Sequence, residues 1–439
     1  MRSQLRFLGA LAGVALGAAL FAVAFRACLA WWYRAAFGAD HVVSVIAGLP
    51  WWMRLAVPAA GGFAAGLIAR WRKSARQGVS NVMEAIVLGH LALSLKTTMS
   101  RVASSGVAIA SGMSIGREGP LIEFGGSLGA AVGRRLAIPL DQTRVLVAAG
   151  TTAGFAAAYN TPFAAVLFVF ETIIGIATPA ALLPTMTATV IAAMVTRATV
   201  GAGPIYGQRA FAVHATSDLW WLAIAGALAA VVAAGFKWFL ALAEELAERG
   251  AGVQPWRSTL GGLVVGVLAI WLPAVAGNGY EPLNQILDRQ LAITTVLVLL
   301  AAKIVATSAS VASGVPGGIF TPMLLVGAAF GSLWAQFMTV VWPASAPDVG
   351  VYALVGMAAT TAASIHAPLT AAVLVFELSG DYAIVLPLIL ATAVATAVSR
   401  AMGGESVYAT ELRRRGLGWE LTLDGRQLDR ADASPRATS

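Results

Sequence analysis

Charge is scarce in this sequence. Only 11% of its 439 residues are Asp, Glu, Lys or Arg, less than half of the roughly 25% usual in soluble domains. A water-facing surface for a chain of this size cannot be built from so few charges, which excludes a soluble enzyme or binding module. Cysteine is nearly absent: Cys28 stands alone, so an internal disulfide and any multi-thiolate metal site are excluded. The four histidines, His41, His90, His214 and His366, are scattered and show no metal-ligand spacing. No nucleophile–base pair is apparent either, so neither enzymatic activity nor a metal or other cofactor is expected. The net charge is +8, yet the basic residues fall in short clusters between apolar runs: Arg70, Arg72, Lys73 and Arg76, then Arg134 and Arg135, then Arg413, Arg414 and Arg415. That is a signature of membrane topology, not of nucleic-acid binding.

Apolar residues are what the chain has in excess, at 58%. It therefore reads as an all-α integral membrane protein whose first partner is the lipid bilayer. The first apolar element, 5–33, ends in Trp31, Trp32 and Tyr33, an interfacial aromatic belt. It is too long for the apolar core of a signal peptide and is read as a retained helix. A second crossing, 53–68, returns to the basic 70–76 segment, which places both the N-terminus and that segment in the cytoplasm. Later segments, 80–95, 102–113, 120–132, 145–158 and 162–176, are short and interrupted by glycine. Crossing ~30 Å of hydrocarbon takes about 20 residues, and broken helices at that depth survive only inside protein or around a polar cavity. The segment 219–246 is read as broken at Lys237. Lys96, Arg101, Lys237 and Lys303 are read as reaching out to the interface along their aliphatic stems.

The chain also repeats itself. Ser111-Gly112-Met113-Ser114-Ile115-Gly116-Arg117-Glu118-Gly119-Pro120 recurs as Ser313-Gly314-Val315-Pro316-Gly317-Gly318-Ile319-Phe320-Thr321-Pro322, with Gly125 and Gly129 matched by Gly327 and Gly331. In the same order, Ala156-Ala157, Pro162 and Phe170-Glu171 align with Ala362-Ala363, Pro368 and Phe376-Glu377. Aligned prolines and glutamates imply duplication. Residues 1–205 form a first transmembrane repeat, 206–410 a second, and 411–439 a short polar cytoplasmic tail. The Gly- and Pro-bearing linker from Gly201 is the boundary. Glu171 and Glu377, at the ends of apolar segments, are read as structural.

Each Gly-x-x-x-Pro run opens an apolar helix. A helix start offers unpaired N–H groups and the positive end of the dipole, and glycine lets the backbone approach a ligand. Two such starts meeting in the membrane would bind a small anion without a full positive charge, a moderation that a conducting site needs. Glu118 sits where that anion should sit, so its carboxylate can occupy the site when ionised and leave it when protonated. A carboxylate at membrane depth points to function.

These residues resemble the CLC chloride channels and chloride/proton antiporters. The resemblance is carried by Gly116–Pro120, Gly318–Pro322 and Ser406-Val407-Tyr408, supported by 156–171, 277–280 and 362–377, and it spans about 5–415. The Glu84 region, Gly277-Asn278-Gly279-Tyr280 and the ending look most like the bacterial ClcB-like branch. The resemblance implies a homodimer in the bacterial inner membrane, with inverted repeats and one chloride pathway per subunit. It makes Glu118 the gating glutamate, with Gly116, Arg117 and Gly119 beside it as anion-binding residues. The amides of Ile319 and Phe320 and the hydroxyl of Tyr408 would hold a central anion. The family's Gly-Ser-Gly-Ile-Pro run is here Arg76-Gln77-Gly78-Val79-Ser80, leaving Gln77 and Ser80 as alternatives for the serine ligand. Proton-coupled members carry a second carboxylate where this chain has Thr172, after Glu171. The sequence therefore leans to passive, voltage-gated chloride conductance, with an electrical shunt in acid as its implied role. Chloride/proton antiport is the alternative, and a repeat-built cation or organic-solute transporter a remote one. Arg117 beside the gate argues against fluoride export, and the short tail against nucleotide regulation.

Overall fold

The computed structural model describes residues 2–71, 78–89, 93–175, 178–207, 209, 218–250, 253–342, 348–417, 419–422 and 425–428. The first half folds into α1 (Arg2–Phe37), α2 (Val42–Gly48), α3 (Trp51–Trp71), α4 (Val79–Leu88), α5 (Leu95–Ala110), α6 (Glu118–Arg135), α7 (Leu140–Tyr159), α8 (Pro162–Phe168) and α9 (Pro179–Thr199). A π-helical stretch, Val169–Ile174, continues α8. The second half contains α10 (Asp218–Gly250), α11 (Trp256–Trp271), α12 (Tyr280–Leu287), α13 (Ile293–Ala312), α14 (Phe320–Val341), α15 (Val349–Ile365), α16 (Pro368–Ser379), α17 (Val385–Ala401) and α18 (Val407–Arg414). The tail, expected only to be polar, continues into an antiparallel hairpin of β1 (Trp419–Thr422) and β2 (Gly425–Leu428). Among the described residues, seven helical stretches are long and apolar enough to cross a membrane.

Of the short segments expected in the first half, α4 and α8 are short helices, whereas α6 and α7 extend to 18 and 20 residues. Every residue of α15 from Gly350 to Ile365 is buried, as is almost all of the C-terminal two-thirds of α7. These buried stretches are apolar but for a few small hydroxyl residues such as Thr151, Thr152, Thr360 and Thr361, which suits a helix surrounded by protein. They end on left-handed residues at matching positions, Asn160 (φ 55°) and His366 (φ 56°), and α8 and α16 restart on Pro162 and Pro368. Proline suits a first helical turn because its missing N–H would have no partner there.

The halves meet in reciprocal pairs. Gly116 N–H donates to the Gly318 carbonyl at 2.7 Å and Gly318 N–H to the Gly116 carbonyl at 2.8 Å. Glu171, at the end of α8, accepts from the amides of Leu369 (3.1 Å) and Thr370 (2.7 Å) at the start of α16. Glu377, at the end of α16, accepts from Phe163 (3.1 Å) and Ala164 (2.8 Å) at the start of α8. Both glutamates are thus helix caps, a role the sequence, which marked them only as structural, did not show, and each stabilises a helix start by charge and hydrogen bond. Where α3 crosses α11, a β-carbon on Gly62 would stand 2.2 Å from the Ser258 carbonyl oxygen, and one on Gly262 would stand 2.0 Å from that of Pro58. Equivalent positions with exchanged roles define a two-fold relation. A two-fold along the membrane normal would leave α8 and α16 parallel. Their crosswise capping makes them antiparallel, so the repeats are inverted.

Three expectations are corrected. Lys237 does not interrupt α10, which runs continuously through 218–250. Its ammonium donates to the Glu405 carbonyl at 2.9 Å, so the loop before α18 solvates the charge and the helix need not break. Lys303 does not reach the interface: it is fully buried and donates to the carbonyls of Val275 (3.0 Å) and Gly277 (2.7 Å). Arg101 does not reach it either, being buried in an ion pair with Glu123. Broken helices supply free carbonyls inside the fold, and a buried cation accepts that solvation in place of water.

Candidate functional site

The site forms where two helix pairs are interrupted. α5 and α13 end at Gly112 (φ 93°) and Gly314 (φ 84°), a backbone conformation that only glycine adopts without strain. Each chain then turns through five residues into α6 or α14. The Gly116–Gly318 exchange fastens the two loops, so the starts of α6 and α14 converge on one point. The electrostatics there come from exposed amides and dipole ends.

The Glu118 carboxylate occupies that point. Its Oε1 accepts the amides of Phe320 at 2.8 Å and Thr321 at 3.2 Å, and its Oε2 accepts the Thr321 hydroxyl at 3.1 Å. Only 2% of Glu118 is exposed. The carboxylate of the first repeat thus lies on the helix start of the second. The two glycines leave it room, since a β-carbon on Gly116 or on Gly318 would come within 2.2 Å of its oxygens. Gly119 packs its backbone against Gly317 and Gly318. Arg117 is partly exposed and forms no ion pair among the described residues, so its charge is not spent on a neighbouring carboxylate.

A cavity of about 300 Å³ reaches this point and is lined by Glu118, Gly318, Ile319, Lys237, Tyr408 and Arg415, among others. Glu118, Ile319 and Tyr408, far apart in sequence, therefore line one cavity. Tyr408 is buried at the start of α18, where the Ser406 hydroxyl caps the Ala409 amide at 3.1 Å. Its ring meets Phe168 edge-on at 6.3 Å, and Phe168 meets Phe320 at 6.2 Å, so aromatic packing sets Tyr408 relative to α14. Arg414 and Arg415 of the basic C-terminal segment also line the cavity.

The remaining candidates separate. Gln77 lies outside the described residues. Ser80 is not on the cavity wall: its hydroxyl donates to Glu411 at 2.8 Å, while its neighbours Gly78 and Val79 do line the cavity. Thr172 is buried in the π-helical stretch, and its hydroxyl has no partner among the described residues. Two polar pairs escaped the sequence reading, Tyr159 with Thr321 and Arg101 with Glu123. The signal for the first was present as a break in the repeat: Thr321 stands opposite Gly119, and Tyr159 opposite Ile365.

Comparison with known proteins supplies the family. Residues 60–400 match the family model described as voltage gated chloride channel. A ClcB-like chloride channel protein of Ralstonia nicotianae is 40% identical over 422 residues, covering 92% of this chain and 96% of that one. The voltage-gated ClC-type chloride channel ClcB of Salmonella typhi is 31% identical over 402 residues, 89% of this chain and 95% of its own. Among solved structures, a slow cyanobacterial chloride/proton antiporter superposes with a TM-score of 0.85 at 24% identity, covering 93% of this chain and 98% of that one. A CLC-type fluoride/proton antiporter gives 0.73 at 20%, covering 91% and 97%. At those identities the structures speak for the fold. With reciprocal broken-helix repeats and a match through most of its length, the chain belongs to the voltage-gated chloride channel family, the CLC proteins.

Proposed function

We propose that this protein carries chloride or similar small anions across the bacterial inner membrane, through one pathway in each subunit of a homodimer, with Glu118 as the gate. Residues 1–205 and 206–410 are its two repeats, and 411–439 its cytoplasmic tail. The observation that carries the reading is the Glu118 carboxylate seated on the amides of Phe320 and Thr321. Donors that hold a carboxylate also suit a halide, and neutral amides bind it without trapping it. Chloride enters from the cytoplasmic cavity past Tyr408, rests between the Tyr408 hydroxyl and the Ile319 amide, and passes on when Glu118 vacates the helix start. Relatives named as chloride channels support the choice of anion. Bromide diffused into crystals is expected to give an anomalous peak between Ile319 and Tyr408 that weakens in Tyr408→Ala. A peak elsewhere, with none here, would refute the placement.

Passive conductance is favoured over exchange because the Thr172 position offers no carboxylate to pass protons inward. Such a conductance would act as an electrical shunt that relieves charge built up by proton pumping in acid. Exchange is the second reading, and the cavity that reaches Glu118 favours it, because a wet path carries protons without a side-chain relay. Chloride efflux and proton uptake recorded together in sealed liposomes, with the potential clamped by valinomycin and potassium, separate the two. The expected result is free chloride movement with little uphill proton transport. Proton transport at a fixed ratio to chloride would establish exchange instead.

A further inference from the structure

Glu118 is held by more than backbone. Thr321, the second residue of α14, gives it both an amide and a hydroxyl. The Thr321 hydroxyl oxygen lies 2.8 Å from the hydroxyl of Tyr159, the last residue of α7. An ionised carboxylate only accepts, so Thr321 spends its single O–H proton on Glu118, and Tyr159 must be the donor to Thr321. The three residues are buried, at 2% exposure for Glu118, 3% for Thr321 and 5% for Tyr159. The Tyr159 ring is fixed by Phe155 at 5.1 Å and Phe320 at 5.9 Å. The pseudo-two-fold does not reproduce this pair, since Gly119 and Ile365 occupy the equivalent positions. The hydroxyls occur only on the side that the carboxylate faces.

We propose that Tyr159 and Thr321 form a hydroxyl relay that clamps the ionised Glu118 carboxylate on the start of α14 and, once it leaves, presents the Thr321 O–H to the anion that takes its place. The proposal rests on the gating reading above. A lone threonine hydroxyl rotates among nearby acceptors. With Tyr159 donating into its oxygen, the proton is directed at the site, and bonds in such a chain strengthen one another. Thr321 is a ligand of the site, and Tyr159 is a positioning residue that acts through it. Donation to a carboxylate favours its charged form. A carboxylate oxygen concentrates charge more than chloride does, so the relay holds the gate more strongly than it holds the anion. Among the described residues, Tyr206 and Tyr408 feel the charge of Glu118, Arg117 adjoins it in sequence, and Lys237, Glu244, Glu248, Glu411, Arg414 and Arg415 line the cavity it shares. All of them are unchanged in the variants below.

The test is chloride efflux against pH from liposomes holding the full chain, at low chloride. The variants are Tyr159→Phe, Thr321→Val and Thr321→Ser, each with and without Glu118→Gln. Thr321→Val is expected to move the pH midpoint of flux toward alkaline by about one unit, and Tyr159→Phe by roughly half a unit. Thr321→Ser, which restores the hydroxyl, should return to the wild-type midpoint. In the Glu118→Gln background the profile should stay flat in all three, while Thr321→Val alone weakens chloride binding several-fold by calorimetry. Tyr159→Phe removes a single oxygen and carries the test if Thr321→Val does not fold. Unmoved or acid-shifted midpoints in Tyr159→Phe and Thr321→Val, with Glu118→Gln flat, would overturn the relay and leave the gate standing. A wild-type pH profile in Glu118→Gln would overturn the gate, and the relay with it.

Discussion

Glu118→Gln is expected to conduct anions at a high rate that no longer depends on pH, whereas the unaltered protein should conduct faster as pH falls. The sign follows from the geometry. At high pH the ionised carboxylate would hold the donors of Phe320 and Thr321 and, on the gating proposal, exclude the anion. Protonation removes the charge that holds it there. Hydrogen bonds to a charged group contribute about 1.5–3 kcal/mol, against about 1 for neutral ones. Removing the charge across this cluster should cost roughly 2 kcal/mol of gate occupancy, equivalent to about a 30-fold rise in flux at alkaline pH. Efflux from liposomes across a pH series measures it. A variant that keeps the wild-type pH profile would remove Glu118 from the gating role.

The second large effect concerns Arg101 and Glu123, which join α5 to α6 inside the protein. Arg101 is 6% exposed and Glu123 1%. The Asn81 amide also donates to Glu123, at 3.3 Å, and Arg415 donates to the Asn81 side-chain oxygen at 2.9 Å. Removing one partner of a buried pair leaves an uncompensated charge and costs about 3–5 kcal/mol. Arg101→Met and Glu123→Leu should therefore each lower the apparent Tm in detergent by on the order of 5–10 °C at a fixed scan rate. The double variant should regain most of that loss, because apolar replacement of a whole buried pair is close to neutral. Single variants that melt with the parent would show that packing, not this pair, joins the two helices. Glu123 lies on the same helix as Glu118, so the pair also steadies the element that carries the Glu118 carboxylate.

The all-α membrane class, the duplication, the broken segments and the Gly116–Pro120 and Gly318–Pro322 helix starts were legible because each rests on local chemistry. Lipid demands apolar runs, a chain turn against a ligand demands glycine, and a first helical turn accepts proline. Repetition made these signals readable twice. The crosswise capping by Glu171 and Glu377 was not legible, since nothing at the end of one helix states which distant helix start it will meet. Buried cations were misjudged for a related reason. Composition scores Arg101 and Lys303 against lipid, but the fold surrounds them with Glu123 and with the carbonyls of Val275 and Gly277. The sequence by itself determined which residues are able to donate, accept or ionise. Only the tertiary structure decided which of them face one another, because inverting one repeat against the other brings Glu118, Thr321 and Tyr159 to a single point from three separate helices.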